Sequence, residues 1–323
     1  MTTFRAARND DIPALVRLWN EGTPAYGVAR PLKPRELTEA CLNRLGFALG
    51  DLIVARDDGE GRLVGFAHGG FGPAEADGAS HRLDRSMGTV AMLAVDPEAD
   101  EAVGPSLIER AVARLRDGGA RVIYAGGQYP LNPFYWGIYG GSEFAGILKG
   151  HEGFHRAARA SGFEEVSRSV LLERDLSGTK AEPGFDPKSV LLRRRFQLTI
   201  EEDAAFGPWW DALALGATYA IRFRLEDSAG RAAATATTWD MAGFERLDGR
   251  LRAGLIDVGV ASESRRQGLG KYLIREVIRY HIQRGIHAIA VQTRAANAAA
   301  LGLYQSLGFE PVDEATLYRL DRP

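Results

Sequence analysis

Apolar residues recur along this chain with two periods, and the alternation between those periods sketches a fold. Ile12, Leu15, Val16 and Trp19 fall at i, i+3, i+4 and i+7, one face of a helix. Asn9 or Asp10 supplies its cap and Gly22 its end. Residues 3–8 before it read as a strand, and residues 34–47, opened by Pro34, as a second helix. Strands at 52–56 and 62–69 flank the turn-forming residues 57–61, and a polar, Gly-rich hairpin covers 70–86. A strand at 89–95, a turn at 96–103, a helix at 104–117 and a strand at 121–125 follow. A helix at 151–160 and a strand at 169–174 close this half.

The second half repeats the succession. A strand is expected at 190–200, then a weakly patterned helical stretch at 201–215 that carries Trp209 and Trp210. Strands at 218–226 and 231–239 are joined by a turn at 227–230. A strand at 251–260 runs through a glycine turn into a helix whose apolar face is Leu273, Ile274, Val277 and Ile278, closed by Gly285. A strand at 286–292, a helix at 297–307 and a strand at 315–320 end the chain. This order predicts a mixed α/β sheet. Residues 176–187 are rich in Ser, Gly, Lys and Pro, so the chain divides into a unit at 1–177, a linker at 178–188 and a unit at 189–323.

The two units read as copies. Gly104 against Gly270, Leu107 against Leu273 and Gly119 against Gly285 share an offset of 166 residues. Gly162 and Phe163 match Gly308 and Phe309 at an offset of 146, so the first unit holds an insertion, at residues 126–150. The insertion sets Tyr129, Phe134, Tyr135, Trp136 and Tyr139 among glycines and prolines and has neither helical nor strand period. It is either a loop pinned to the core by its aromatics or a wall of a substrate cavity.

Composition narrows the class without choosing a function. A chain of 323 residues has length for two cores, and 45% apolar with 25% charged residues is ordinary for a soluble globular protein. A net charge of −2 disfavours nucleic acid as a partner. The one cysteine, Cys41, excludes an intramolecular disulfide framework, and its Ala-Cys-Leu setting fits a buried packing residue better than a nucleophile. The N-terminal residues lack the apolar core of a signal peptide, and no apolar run reaches membrane-spanning length. The expectation is a cytoplasmic protein without a membrane partner, a monomer with an internal pseudo-dimer rather than an obligate oligomer.

The glycine turn carries the chemistry. Arg265, Gly268 and Gly270 form R-x-x-G-x-G between a strand and a helix. The N–H groups of a first helical turn have no intrahelical partner and carry the positive end of the macrodipole. Glycine removes the Cβ atoms that would hold a phosphate away from them, so the turn reads as a pyrophosphate cradle. Farther on, Asn297, Ala300, Leu303, Tyr304, Gly308 and Phe309 fit N-x-x-A-x-x-L-Y-x-x-x-G-F: an N-cap, an apolar face and a left-handed C-cap glycine.

These two motifs and the preceding strand resemble the GNAT superfamily of N-acetyltransferases across most of the second unit. The first unit resembles the same fold in element order. The tandem pair is similar in architecture to two-domain GNAT proteins of the mycothiol synthase type. The resemblance implies two GNAT-like domains, acetyl-CoA as cosubstrate, a small-molecule or peptide amine as acceptor, and no metal. It places the cradle at Arg265, Arg266, Gln267, Gly268, Leu269, Gly270 and Lys271. It gives the pantetheine arm the backbone of Val258 and Val260 and a contact from Asn297, and the Val258 N–H the developing oxyanion.

The resemblance also puts a general acid at Tyr304. A phenol of pKa about 10 stays protonated at neutral pH and can protonate a thiolate whose conjugate acid has pKa about 8.5. A carboxylate at Asp257 would take a proton from the incoming ammonium; the alternative is an in-sheet ion pair with Arg252 or Arg224. Asp240 and Glu245 are further base candidates. His281 and His287 fit packed or solvated histidines, and Trp209, Trp210 and Trp239 suit either the core or an acceptor pocket. In the first unit, Ala99 and Ala102 stand 166 residues before Arg265 and Gly268, Ala158 stands 146 before Tyr304, and Met92, one residue off the 166 offset, matches Asp257. Its turn holds four carboxylates, Asp96, Glu98, Asp100 and Glu101, which repel a pyrophosphate. The expected protein is an N-acetyltransferase with its one active site in the second unit. A non-catalytic acyl-CoA-binding or sensing module is the alternative.

Overall fold

The computed structural model of the protein describes residues 1–22, 31–44, 46–74, 82–178, 187–206, 214–215, 218–242 and 248–321. Strand β1 (Thr2–Ala6) leads into α1 (Ile12–Gly22), which buries Leu15, Val16, Leu18 and Trp19 as its periodicity requires. The expected helix over 34–47 is shorter: α2 (Pro34–Leu37) widens after one turn into a π-helical turn, Thr38–Leu42. The Thr38 hydroxyl donates to the Pro34 carbonyl (2.9 Å), a side-chain bond that competes with the helical ladder. An antiparallel run follows, β2 (Leu52–Asp57), β3 (Leu63–Pro73) and β4 (Leu83–Val95), and both arms of the hairpin are longer than the sequence pattern suggests. Helix α3 (Val103–Asp117) and β5 (Val122–Ala125) complete a β-α-β unit. The insertion ends in the two-residue β6 (Ile147–Leu148), before α4 (Glu152–Ala160) and β7 (Glu164–Asp175).

The expected strand over 190–200 is instead α5 (Pro187–Arg195) followed by β8 (Gln197–Glu202). Proline presets a first helical turn, and Leu, Lys and Arg favour helix, which outweighs the β-branched Val190. Of the helical stretch expected over 201–215, Glu201 and Glu202 belong to β8, and residues 207–213 lie outside the described residues. Trp209, Trp210 and Glu245 lie outside the described residues. The remaining elements follow the sequence reading: β9 (Ala220–Glu226), β10 (Ala232–Asp240), β11 (Arg252–Val260), α6 (Leu269–Gln283), β12 (Ala288–Arg294), α7 (Ala298–Gln305) and β13 (Glu310–Asp321).

Among the described residues all thirteen strands join one sheet, in the order β1-β2-β3-β4-β5-β13-β7-β12-β11-β10-β9-β8, with β6 paired to β13. The centre of this order is an exchange. Strands β7 and β13 occupy equivalent places in the repeat, separated throughout by the 146-residue offset. Yet β13, from the end of the chain, pairs with β5 (Tyr318 opposite Ala125), and β7 pairs with β12 (Asp175 opposite Ala288). Each unit's sheet is thus completed by the other's last strand. A buried ion pair, Arg252 on β11 with Glu173 on β7 (2.9 Å), fixes the exchanged strand, and Arg250 reaches Asp175 (2.6 Å).

Helices cover the sheet, and apolar clusters fill the interfaces. Helix α3 packs on the first unit's strands through Leu107, Ile108, Ala111 and Leu115, and α6 on the second's through Leu273, Ile274 and Val277. On the first unit's other face, Trp19 of α1 meets Phe134, Tyr135, Ile138 and Tyr139 of the insertion. The insertion then continues to the second unit, where Trp136 joins Trp239, Met241, Ile256 and Ala290.

Candidate active site

Two strands that run together and then part make the framework. Strands β11 and β12 pair in parallel from Arg252 opposite Ala288 to Leu255 opposite Val291. Beyond Leu255, among the described residues, β11 keeps only β10 as a neighbour, while β12 continues along β7, so a wedge opens between them. The divergence coincides with a bulge: the β10–β11 register shifts between Thr235 and Thr237, and Asp257 lies at φ 52°. A left-handed residue other than glycine is uncommon, and here it turns one carboxylate out of the strand's alternation. Asp257 is exposed, but surrounding protein desolvates its carboxyl and raises its pKa, against a smaller lowering by Arg222.

Among the described residues the ion pair considered as Asp257's alternative role does not form. Arg252 pairs with Glu173 and Asp248, and Arg224 with Glu201. The other base candidate among the described residues, Asp240, accepts from the Ala242 N–H (2.7 Å) as a turn residue. His281 is buried with Nε2 2.9 Å from the Thr238 hydroxyl, and His287 Nδ1 accepts from the Leu251 N–H (3.0 Å). Both are structural.

At the end of β11 the glycine turn has the geometry its sequence requires. Arg266 (φ 59°) and Gly268 (φ 88°) are both left-handed, and Gly268 is the N-cap of α6. Among the described residues no side chain caps that helix, which leaves its first-turn N–H donors, including those of Leu269, Gly270 and Lys271, for a ligand. Gly270 sits between Leu303 of α7 and Val260 of β11, where an added Cβ would make ordinary contacts at 3.5 Å. Around the turn stand Arg265, Arg266 and Lys271, together with a cation the motif does not contain: a Cβ on Gly268 would lie 3.0 Å from Lys188 Cε and 3.3 Å from its Nζ. Uncapped donors and four cations fit a pyrophosphate.

Other site residues have local tasks. Arg265 Nε donates to the Val260 carbonyl (3.2 Å), so this backbone acceptor is engaged by its own chain. Gln267 donates from Nε2 to the Glu263 carbonyl (3.2 Å). Asn297 caps α7, its side-chain oxygen accepting the Ala300 N–H (3.1 Å). Tyr304, on α7, is buried with its ring 5.5 Å from that of Phe309. Burial, and then the charge of Glu143, push its phenol up to about 12.

Glu143 is the residue that motif reasoning missed. It belongs to the first unit's insertion, yet it faces the second unit's wedge closely enough to feel Asp257 and to act on Tyr304. Burial, and then the Asp257 charge, push its carboxyl up to about 7. Its position is set by its neighbours: the Trp239 indole N–H donates to the Ser142 carbonyl (2.9 Å), and Gly141 packs against Gln292 of β12 and Leu171 of β7. A sequence signal existed, since Glu143 is the only carboxylate in residues 126–150.

The first unit lacks this arrangement. Its turn consumes its own donors: Asp96 accepts the Glu98 N–H (3.0 Å) and Asp100 the Ala102 N–H (2.8 Å). Met92, two residues past the end of the β4–β5 pairing as Asp257 is past that of β11–β12, is fully buried, and Phe134 and Leu131 of the insertion press against Gly70 and Gly72 of β3.

Comparison with known proteins agrees with this geometry. Residues 193–309 match the model of the acetyltransferase (GNAT) family. The chain is 37% identical over 123 residues to the [ribosomal protein bS18]-alanine N-acetyltransferase of Escherichia coli strain K12, which covers 37% of this chain and 74% of that enzyme. A shorter stretch of 61 residues is 41% identical to the mycothiol acetyltransferase of Arthrobacter sp. strain FB24, 19% of each protein. Among solved structures, a tandem GNAT protein from the clavulanic acid biosynthesis pathway superposes with a TM-score of 0.65 at 14% identity, covering 100% of this chain and 99% of that one. A glucosamine N-acetyltransferase region of a fungal multi-domain β-N-acetylglucosaminidase gives a TM-score of 0.70 at 18% identity over 99% of this chain and 38% of that longer one. A parted strand pair leading into an uncapped, glycine-opened helix, within a relationship of this extent, makes the chain a two-domain member of the GNAT family of N-acetyltransferases, whose cosubstrates are acyl-CoA thioesters.

Proposed function

We propose that the protein transfers an acetyl group from acetyl-CoA to a primary amine, at one active site in the second unit. The observation that carries this reading is the α6 N-terminus. Among the described residues its donors are uncapped, with Lys188, Arg265, Arg266 and Lys271 beside them, whereas at the start of α3 the Ala102 and Val103 N–H groups are bound by Asp100 and Pro105 has none. The division of the chain at residues 178–188 and the origin of its halves by duplication belong to the same proposal.

In this reading the amides of residues 266–271 hold the pyrophosphate, and the free edge of β11 at Val258 aligns the pantetheine arm within the wedge. The bound thioester supplies the acyl group and a thiolate leaving group. Asp257, at the wedge mouth, draws in the cationic amine. The Val258 N–H stabilises the charge developing on the carbonyl oxygen. Tyr304, still protonated across the neutral range, donates its proton to the departing sulfur. An amine on a small molecule and one at a peptide N-terminus both suit this chemistry.

Calorimetric titration with acetyl-CoA tests the cradle, and free-thiol release with N-terminal alanyl peptides, glucosamine and polyamines tests transfer. Tight binding with acceptor-dependent thiol release is the expected result. Absence of binding, or binding abolished by changes in the first unit's turn and not by changes at Gly270, would overturn the assignment.

A further inference from the structure

We propose that Glu143, carried by the first unit's insertion, is the catalytic base of the second unit's active site. The two units then form one catalytic centre in which the insertion supplies the proton acceptor. The proposal rests on the acetyl-transfer reading above and adds a residue that no GNAT motif of this chain contains.

The geometry supports it in three steps. First, the insertion is fixed where it meets the wedge. Trp136 is packed among Trp239, Met241, Ile256 and Ala290, and Ser142 is tied to the Trp239 indole. Gln128 at the insertion's start adds bonds to the Ala145 carbonyl (3.2 Å) and the Ser169 hydroxyl (3.0 Å). Second, Glu143 is the residue after Ser142 and two after Gly141, which packs against Gln292 of β12 and Leu171 of β7, and its carboxyl lies within electrostatic reach of Asp257 and Tyr304. Among the described residues it makes no ion pair, and the titratable groups that face it are Asp257 from β11 and Tyr304 from α7. Arg222 of β9 acts on Asp257. Third, burial and then the Asp257 charge push the Glu143 carboxyl up to about 7, and a general base works best with a pKa near the working pH.

The proton balance is complete. Glu143 accepts one proton from the substrate ammonium, and the freed nitrogen lone pair forms the C–N bond to the thioester carbonyl carbon. As the C–S bond breaks, the sulfur takes the proton of Tyr304. The second nitrogen proton passes to the Tyr304 phenolate, and Glu143 returns its proton to solvent. The products are the amide, the free thiol and one proton, without any oxidant or further reactant.

The experiment uses the full-length protein and two readouts. Thiol release from acetyl-CoA, by hydrolysis alone and with an N-terminal alanyl peptide, is followed from pH 5.5 to 9 for the wild type, Glu143→Gln and Asp257→Asn. Expected are an acidic limb near pH 7 in the wild type, loss of that limb in Glu143→Gln with a fall of about 100-fold at neutral pH, and a shift of the limb to lower pH in Asp257→Asn. Acetyl-CoA affinity of Glu143→Gln stays within about two-fold of wild type, which separates this result from failure of the cradle or of folding. The second readout needs no acceptor: carboxyl carbon NMR of protein labelled at glutamate, with Glu143 assigned by its loss in Glu143→Gln. A Glu143 resonance that titrates near the ordinary value of about 4.3 overturns the proposal, as does an unaltered rate profile in Glu143→Gln. Failure of the wild type to bind acetyl-CoA would sink the acetyl-transfer reading instead.

Discussion

The indole N–H of Trp239, on β10 of the second unit, donates to the backbone carbonyl of Ser142, in the insertion of the first, at 2.9 Å. Both residues are buried, so this one bond satisfies two groups that water cannot reach. Trp239 is held in turn by Gly254 of β11, where an added Cβ would fall 2.4 Å from the indole nitrogen. The strand pair that opens the wedge thereby also positions the insertion that closes over it.

Trp239→Phe keeps the apolar bulk and removes the donor. The Ser142 carbonyl is left unpaired, which costs about 1–3 kcal/mol. Denaturant unfolding should register that loss, and thiol-release assays should show a larger fall in turnover than in acetyl-CoA affinity. Gly254→Ala, which displaces the indole, should act in the same direction. Wild-type turnover in both variants would show that the insertion is not coupled to the site.

Gly268 and Gly270 are glycines for different reasons, and alanine separates them. At Gly268 the left-handed backbone makes any side chain costly, by roughly 1–2 kcal/mol. At Gly270 an added Cβ would meet Leu303 and Val260 at ordinary distances, so the folded chain does not itself demand glycine there. Gly270→Ala should keep the wild-type melting temperature while weakening acetyl-CoA binding, measured by calorimetry. Gly268→Ala should lose both. A Gly270→Ala protein with full affinity would mean that the ligand does not approach this turn.

Tyr304→Phe deletes a hydroxyl that makes no hydrogen bond among the described residues, so stability should be nearly unchanged. Turnover should fall by about 100-fold or more at constant acetyl-CoA affinity, the signature of a group that acts only in the transition state. Because the phenol is pushed up to about 12, Tyr304 should contribute no basic limb to the rate profile below about pH 10. A wild-type rate in Tyr304→Phe would leave the leaving group's proton to come from solvent.

Much of this was legible in the sequence because short-range chemistry sets it. The N-cap at Asn297, the left-handed Gly268 and Gly308, and the stripe of Leu273, Ile274 and Val277 are all decided within a turn or two of helix. What escaped depends on residues distant in the chain. Equivalence of β7 and β13 follows from one offset, but their exchange does not, because repeat-related strands offer their neighbours nearly the same pairing edge. Arg252 reads as a possible Asp257 partner by proximity in β11, whereas the exchange brings Glu173 to it. Glu143 stands out within the insertion as a lone acid, yet only the folded wedge shows what it faces. The strand expected at 190–200 overlaps α5, where Pro187 and the arginines favour helix locally.

The buried histidines set how the fold responds to acid. Burial lowers His68 and His151 to about 3 and His281 to about 4, while all three return to about 6.5 when unfolded. Their folded forms are neutral, with His68 Nδ1 2.9 Å from the Tyr135 hydroxyl and His151 Nδ1 2.8 Å from that of Tyr139. Below pH about 6.5 the unfolded chain binds protons that the folded chain refuses, so stability is complete above that pH and falls as pH drops toward the folded values. Each such histidine contributes a slope of about 1.4 kcal/mol per pH unit within its window. His281→Gln keeps a partner for the Thr238 hydroxyl and cannot titrate. Its unfolding free energy, measured in urea between pH 6 and 4.5, should therefore fall less steeply than that of the wild type by about that slope. Parallel curves for the two proteins would mean that His281 takes up its proton without unfolding.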